Sequence, residues 1–225
     1  ELSARPLSGI AQMISQHYYG HAPNYTELSK VEQEYHECLA SVSRMRALIR
    51  ESRQWLEPNV RISLDEWNVW YAWYRPSSVT DGIYAALAMH LLIEEAEKSG
   101  IAVACHFQAV NEGMLCVDPD HVGMTAQGQV FSLMKYHAGN RLCSASQEAV
   151  VTIDREEQIT ATVVNASFSK EKVVDFSQHG PCREAVLYSS ATVLPPSVFE
   201  KKDVLEQART GSLCIPPHSV LLLRF

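Results

Sequence analysis

Apolar stretches alternate with amphipathic ones along the first 140 residues, and polar side chains gather where each apolar stretch stops. No other feature of the chain restricts its fold as much. Residues 10–20 read as a strand that ends in Gln16, His17, Tyr18 and Tyr19. Val60, Ile62 and Leu64 alternate with Arg61 and Ser63, as a strand packed on one face requires, and the pattern stops at Asp65 and Glu66. Residues 101–110 are nearly all apolar, with Gln108 near the end, which predicts a parallel strand covered on both faces. Between these strands lie two helical patterns. Val31, Tyr35, Cys38, Val42, Met45 and Ile49 share one face of a helix that Thr26 can cap and that ends by Pro58. Ile83, Leu87 and Leu91 form the stripe of a second, over 82–99, with Thr80 or Asp81 as cap and Gly100 as stop. A third helix is predicted over 127–137. His17 and Glu66 are 49 positions apart, Glu66 and Gln108 are 42 apart. That spacing fits βα units, and polar residues at the carboxyl ends of parallel strands are how a (β/α)8 TIM barrel builds its site. Three units cannot close eight strands, so open edges are expected.

From about Asn140 the pattern changes. Residues 150–153, 159–165, 185–188 and 219–224 read as strands joined by polar connections, several of them rich in β-branched residues. The fold class is therefore α/β plus all-β, with a partial barrel over 1–139 and a jelly-roll-like β-sandwich over 140–225.

The chain has 225 residues, 46% of them hydrophobic and 20% charged, enough for a sizeable core. A net charge of −7 without a basic cluster argues against nucleic acid or an anionic membrane surface as partner. No apolar run approaches the roughly 20 residues a bilayer span needs. The six cysteines show no CxxC pair or zinc-finger spacing. They read as reduced: Cys38 sits on a helix and Cys105 in a buried strand, which favours a cytoplasmic setting. The first residues carry no signal-peptide pattern, and the chain reads as starting mid-fold, so secretion stays open.

Two adjacent carboxylates at the end of a buried strand are costly unless bonded or used. Trp67, Trp70 and Tyr71 follow at once, and flat rings with polar edges suit the faces of a sugar. A retaining glycosidase needs two carboxyl groups about 5–5.5 Å apart, one attacking the sugar and one moving the proton. On an extended backbone Asp65 and Glu66 would point to opposite sides.

The run Leu64-Asp65-Glu66-Trp67-Asn68-Val69-Trp70-Tyr71 resembles the nucleophile motif of the α-L-arabinofuranosidases of glycoside hydrolase family 51. The resemblance implies a retaining enzyme that releases terminal arabinofuranosyl groups, with Glu66 as nucleophile and Asp65 and Asn68 in support. Ser15 to Tyr19 resembles the family's His-x-Tyr element and assigns His17 and Tyr19 to the sugar, although Gln16 stands where the family more often has an apolar residue. Residues 127–137 resemble the segment whose glutamine bonds the sugar; counting back from His137 favours Gln129, with Gln127 second. Trp67 is assigned to the sugar as well; Trp70 and Trp73 are expected to join it as pocket walls. Gln108 and Asn111 are expected to support the site. The family's acid/base, a Glu after an Asn on an earlier strand, has no match in residues 1–59. Asn111-Glu112 has the dipeptide but follows the last barrel strand and is not assigned. The implied partners are an arabinofuranosyl saccharide, the missing N-terminal barrel portion and a possible second copy of the chain. No metal or organic cofactor is implied. The competing readings are another retaining glycosidase on the same barrel, of β-xylosidase or glucuronidase type, and a non-catalytic carbohydrate-binding subunit.

Overall fold

The computed structural model describes residues 9–70 and 75–225. β1 (Met13–Gly20), β2 (Arg61–Val69) and β3 (Ile101–His106) form a three-stranded parallel sheet in sequential order, joined by α1 (Val31–Trp55) and α2 (Val79–Lys98). Among the described residues this sheet is open at both edges. Being an edge strand changes β3: Ala102, Val103 and Cys105 are exposed, where the apolar run had predicted burial on both faces. Cys105 is therefore an exposed thiol, while Cys38 is buried as expected; all six cysteines are free.

The helices start differently from their predicted caps. A 3-10 turn, Leu28–Lys30, precedes α1, and Lys30 rather than Thr26 occupies its N-cap. α2 begins with a capping box in which Ser78 takes the cap and Asp81 the third helical position, so Asp81 completes the cap from inside the helix. Gly100 has φ +69° after α2, a conformation that costs glycine little. A short hairpin of β4 (Leu115–Val117) and β5 (Val122–Met124) leads into α3 (Ala126–Met134), whose Thr125 cap accepts from the Gly128 amide.

The remaining chain makes a six-stranded antiparallel sheet. Its order is β11 (Glu200–Asp203), β10 (Glu184–Ser189), β13 (Ser219–Arg224), β8 (Ile159–Asn165), β7 (Ala149–Ile153), β6 (Arg141–Ala145). A two-stranded ladder of β9 (Lys172–Asp175) and β12 (Ser212–Ile215), with the short helix α4 (Leu205–Ala208), completes the fold. Period two divides this sheet between two cores. Val164, Val186, Tyr188, Val220 and Leu222 join the core of α1, α2, α3 and the parallel sheet. Their alternates Ala161, Val163, Leu187, Leu221 and Leu223 pack with Phe176, Ile215 and Phe225 on the other face. The hydrophobic core is thus continuous across residue 140. No helix among the described residues is long and apolar enough to cross a membrane.

Candidate active site

The two adjacent acids do not end a strand; β2 runs straight through them. In the β1–β2 ladder Gln16 faces Leu64, but the next residue, His17, faces Glu66. On the other side, Leu64 faces Ala104 and Trp67 faces His106. Asp65 is the extra residue of a β-bulge, which resets the alternation of side chains. Before the bulge the helix-side core takes Ile62 and Leu64; after it, the core takes Trp67 and Val69. Both carboxylates therefore turn to the open face, which corrects the opposite-face expectation for Asp65. Ser63 on the same face donates to the Asp65 carboxylate. Hydrogen bonds from Ser15 and then Ser63 hold the Asp65 pKa below the usual range.

Glu66 meets two of the residues that β1 presents on that face. The Tyr19 hydroxyl donates to Glu66 Oε2 at 2.5 Å, and His17 Nδ1 lies 3.4 Å from the same oxygen. The Tyr19 hydroxyl makes no hydrogen bond to Oε1. Burial, and then the hydrogen bond to Glu66, push the Tyr19 hydroxyl pKa well up, so it stays a donor. The Tyr19 ring is held edge-on by Trp70, centroids 5.2 Å apart, and by Phe107 at 6.3 Å. Trp70 is 46% exposed and presents ring surface beside Tyr19, the residue that bonds the carboxylate.

Trp67 takes a different place from the one predicted. It is 2% exposed and packs edge-on to His106 at 4.8 Å and stacked on Phe131 at 6.1 Å. The bulge is the cause, because it moves the residue after Glu66 to the helix side. Trp73 and Tyr71 lie outside the described residues.

Asn68 ties three elements together behind the site. Its Nδ2 donates to Phe107 O and Glu112 O at 2.5 and 2.6 Å, and its Oδ1 accepts from Val69 N and Gln127 Nε2 at 2.8 and 2.7 Å. That fulfils the bonding capacity of a buried amide. Gln127, the second choice from sequence, is thus brought to the site's supporting layer. Gln129, the first choice, is not: both ends of its amide bond the Phe199 backbone, at 2.8 and 2.9 Å, securing α3 to the segment before β11. Asn111 serves its own hairpin, accepting from Val117 N at 2.7 Å with φ +63°. Gln108 is exposed, and its side chain makes no hydrogen bond among the described residues. Both glutamine assignments and that of Asn111 rested on position along the chain, which does not report where a side chain turns.

Two further residues lie here: Glu112, which sequence reading weighed as acid/base and left unassigned, and His106, which it passed over. Glu112 is placed so that its charge reaches Tyr19, and it lines a cleft of about 420 Å³ with Arg75, Asp81, Asn111, Thr125 and Gln127. His106 at the end of β3 is pushed down to about 4 by burial and stays neutral. Gly113 crosses it so closely that a Cβ there would lie 2.2 Å from Gln108 O and 2.4 Å from the His106 ring. The Asn111-Glu112 dipeptide was the available signal for Glu112; for His106 there was none.

Comparison with known proteins adds a fold relationship. No family model matches the chain, and no curated protein does. Among solved structures, the chain is similar to a GH51 arabinofuranosidase from Xanthomonas axonopodis pv. citri, with TM-score 0.73 and 16% identity over 96% of this chain and 53% of that one. A family 51 α-L-arabinofuranosidase from Bifidobacterium longum gives TM-score 0.73 and 15% identity, over 95% of this chain and 53% of that one. A family 44 xyloglucanase from Paenibacillus polymyxa gives 0.59 and 10%, over 95% and 46%. The chain thus shares the fold of about half the length of these glycoside hydrolases.

Proposed function

We propose that this chain is the C-terminal portion of a retaining glycosidase that releases terminal α-L-arabinofuranosyl groups, with Glu66 as nucleophile. One observation carries the reading: Tyr19 and His17 both meet Oε2 of Glu66 on the open face of a parallel sheet, and the Tyr19 hydrogen bond goes to Oε2 alone. Oε1 attacks the anomeric carbon as the bond to the leaving oxygen breaks, giving a glycosyl ester on Glu66. The leaving oxygen takes its proton from a second carboxylic acid; water, deprotonated by the same group, then cleaves the ester with overall retention. The Tyr19 hydroxyl steadies Oε2 as negative charge leaves the carboxylate and returns, and Trp70 offers an apolar wall to the sugar.

The second carboxylic acid comes from the other half of the protein in this reading. The relatives' extra length, the open parallel sheet and the lack of an earlier Asn-Glu pair support it. That half would add the remaining strands of a (β/α)8 barrel to the three over residues 1–139, and residues 140–225 would form the jelly-roll-like domain. The experiment is azide rescue in the intact enzyme. Glu66→Ala is expected to lose turnover on an aryl arabinofuranoside and to regain it with azide, which occupies the vacated space and leaves as a glycosyl azide. Retained activity in the unrescued variant would move the nucleophile elsewhere.

The likeness to the family 44 xyloglucanase favours one alternative, a retaining glycosidase of the same fold acting on another sugar. A panel of aryl glycosides on the intact enzyme separates the two: preference for xyloside or glucoside over arabinofuranoside supports the alternative.

A further inference from the structure

A second group of side chains, separate from Glu66, has the donors of a metal ligand set. His21 directly follows β1, and Glu34 and Glu37 stand one turn apart at the start of α1. The His21 Nε2 atom lies 2.9 Å from Glu34 Oε2 and 3.7 Å from Glu37 Oε2, and the three donor atoms all lie within 4.8 Å of one another. Ligand atoms bound tetrahedrally at zinc distances sit roughly 3.3–3.6 Å apart, so small side-chain shifts would seat an ion.

The surroundings hold these donors in place. The His21 backbone N donates to Ser41 Oγ at 2.8 Å, fixing the loop on α1. The Asn24 backbone N donates to Glu34 Oε2 at 2.8 Å. Gln33 Nε2 binds the outer oxygen of Glu37 at 2.7 Å, leaving Oε2 toward His21. Such outer contacts orient metal ligands. Neither basic group nearby bonds the ligand oxygens directly: Lys30 pairs with Glu27 at 2.8 Å while its charge also reaches Glu34, and Arg44 donates to Glu37 O and Ser41 Oγ. His21 and Glu37 side chains are 37% and 47% exposed, which leaves water for further coordination positions.

We propose that His21, Glu34 and Glu37 form a three-ligand site for a divalent first-row transition metal, zinc in the first instance. Imidazole with carboxylates is a donor set such ions accept. Bound there, the ion would clamp the loop after β1 to α1, at the same end of the sheet as Tyr19.

The test uses the 225-residue chain. Zinc is titrated by calorimetry, and Co²⁺ by its visible absorption, in wild type, His21→Gln and Glu37→Gln. One saturable equivalent is expected, with weak visible Co²⁺ bands and no thiolate-to-metal band in the near ultraviolet. Each variant is expected to lose at least about tenfold in affinity. Glu37 is exposed, so its variant tests the site even if His21→Gln misfolds. A thiolate band, binding unchanged in Glu37→Gln, or no saturable binding would overturn the proposal; the last would leave a histidine–carboxylate ion pair as the cluster's whole role.

Discussion

At the scale of single residues, the hydrogen bond from the Tyr19 hydroxyl to the Glu66 carboxylate is the contact on which the proposed chemistry turns. A hydrogen bond to a charged group contributes about 1.5–3 kcal/mol, worth roughly 10- to 100-fold in a rate if it acts in the transition state. Tyr19→Phe in the intact enzyme is therefore expected to lower kcat by about that factor while leaving the thermal midpoint nearly unchanged. A wild-type kcat in that variant would show that Oε2 needs no donor. The motif singled out Glu66 through its neighbours, and the structure sets that carboxylate against Tyr19 and His17. Trp67 was misread for the same reason: adjacency in the chain suggested adjacency at the site, and one bulged residue separated them.

At the scale of the element, the bulge in β2 is the decisive device. Unbulged, strand alternation would send Glu66 to the side of Leu64, into a core that excludes an unpaired charge. Two variants of the intact enzyme separate the side chain of Asp65 from its place in the ladder. Asp65→Ala keeps the residue count, so Glu66 still meets Tyr19 and His17, and much of the activity is expected to remain. Deleting Asp65 removes the bulge but leaves Glu66 one position after Leu64 and still opposite His17 on the open face, so turnover is expected to survive the deletion as well. If Asp65→Ala were as silent as Glu66→Ala, and azide restored it, Asp65 would be the nucleophile. Neither helix caps nor periodicity hinted at the bulge, because an inserted residue looks like any other in an apolar-polar run.

At the scale of the whole molecule, the helical layer and the antiparallel sheet are joined by a buried histidine relay. His90 Nδ1 faces Gln147 O at 3.2 Å and so carries the proton; its Nε2 then accepts from Thr162 Oγ1 at 2.8 Å. Thr162 has one hydrogen, so His137 Nε2 must donate to it at 2.9 Å, and His137 Nδ1 accepts from Thr152 Oγ1 at 2.8 Å. Every tautomer is fixed, and a further proton on either ring breaks an acceptor contact. Burial pushes His90 down to about 3 and His137 to about 4. In the unfolded chain both return to about 6.5, so the unfolded state binds more protons across that window. Their contribution to stability is complete above pH 6.5 and is lost as pH falls toward 3–4. Between pH 6.5 and 5 the loss is about 2 kcal/mol per ring. Urea midpoints should fall over that range in the wild type, and less steeply in His90→Gln; equal slopes would remove the relay from the account. The chain by itself is also expected to hydrolyse no aryl arabinofuranoside at an enzyme-like rate. Such turnover would place the second carboxylic acid within these residues, with Glu112 the first to substitute.

The sequence by itself determined the strand–helix order and the change at about Asn140, and its motif singled out Glu66 for the proposed role. All three are local patterns of period, composition and spacing. Tertiary structure decided which side of a strand each residue took. It turned Asp65 to the face of Glu66, sent Trp67 to the core and left Trp70 beside Tyr19. It drew Gln127 to Asn68 and Gln129 to Phe199, and exposed Cys105 on an edge strand. The reason is one of range. Register, edge position and amide partners depend on residues 39 to 70 positions away, as in Asn68 to Phe107 and Gln129 to Phe199, and no local pattern carries that information.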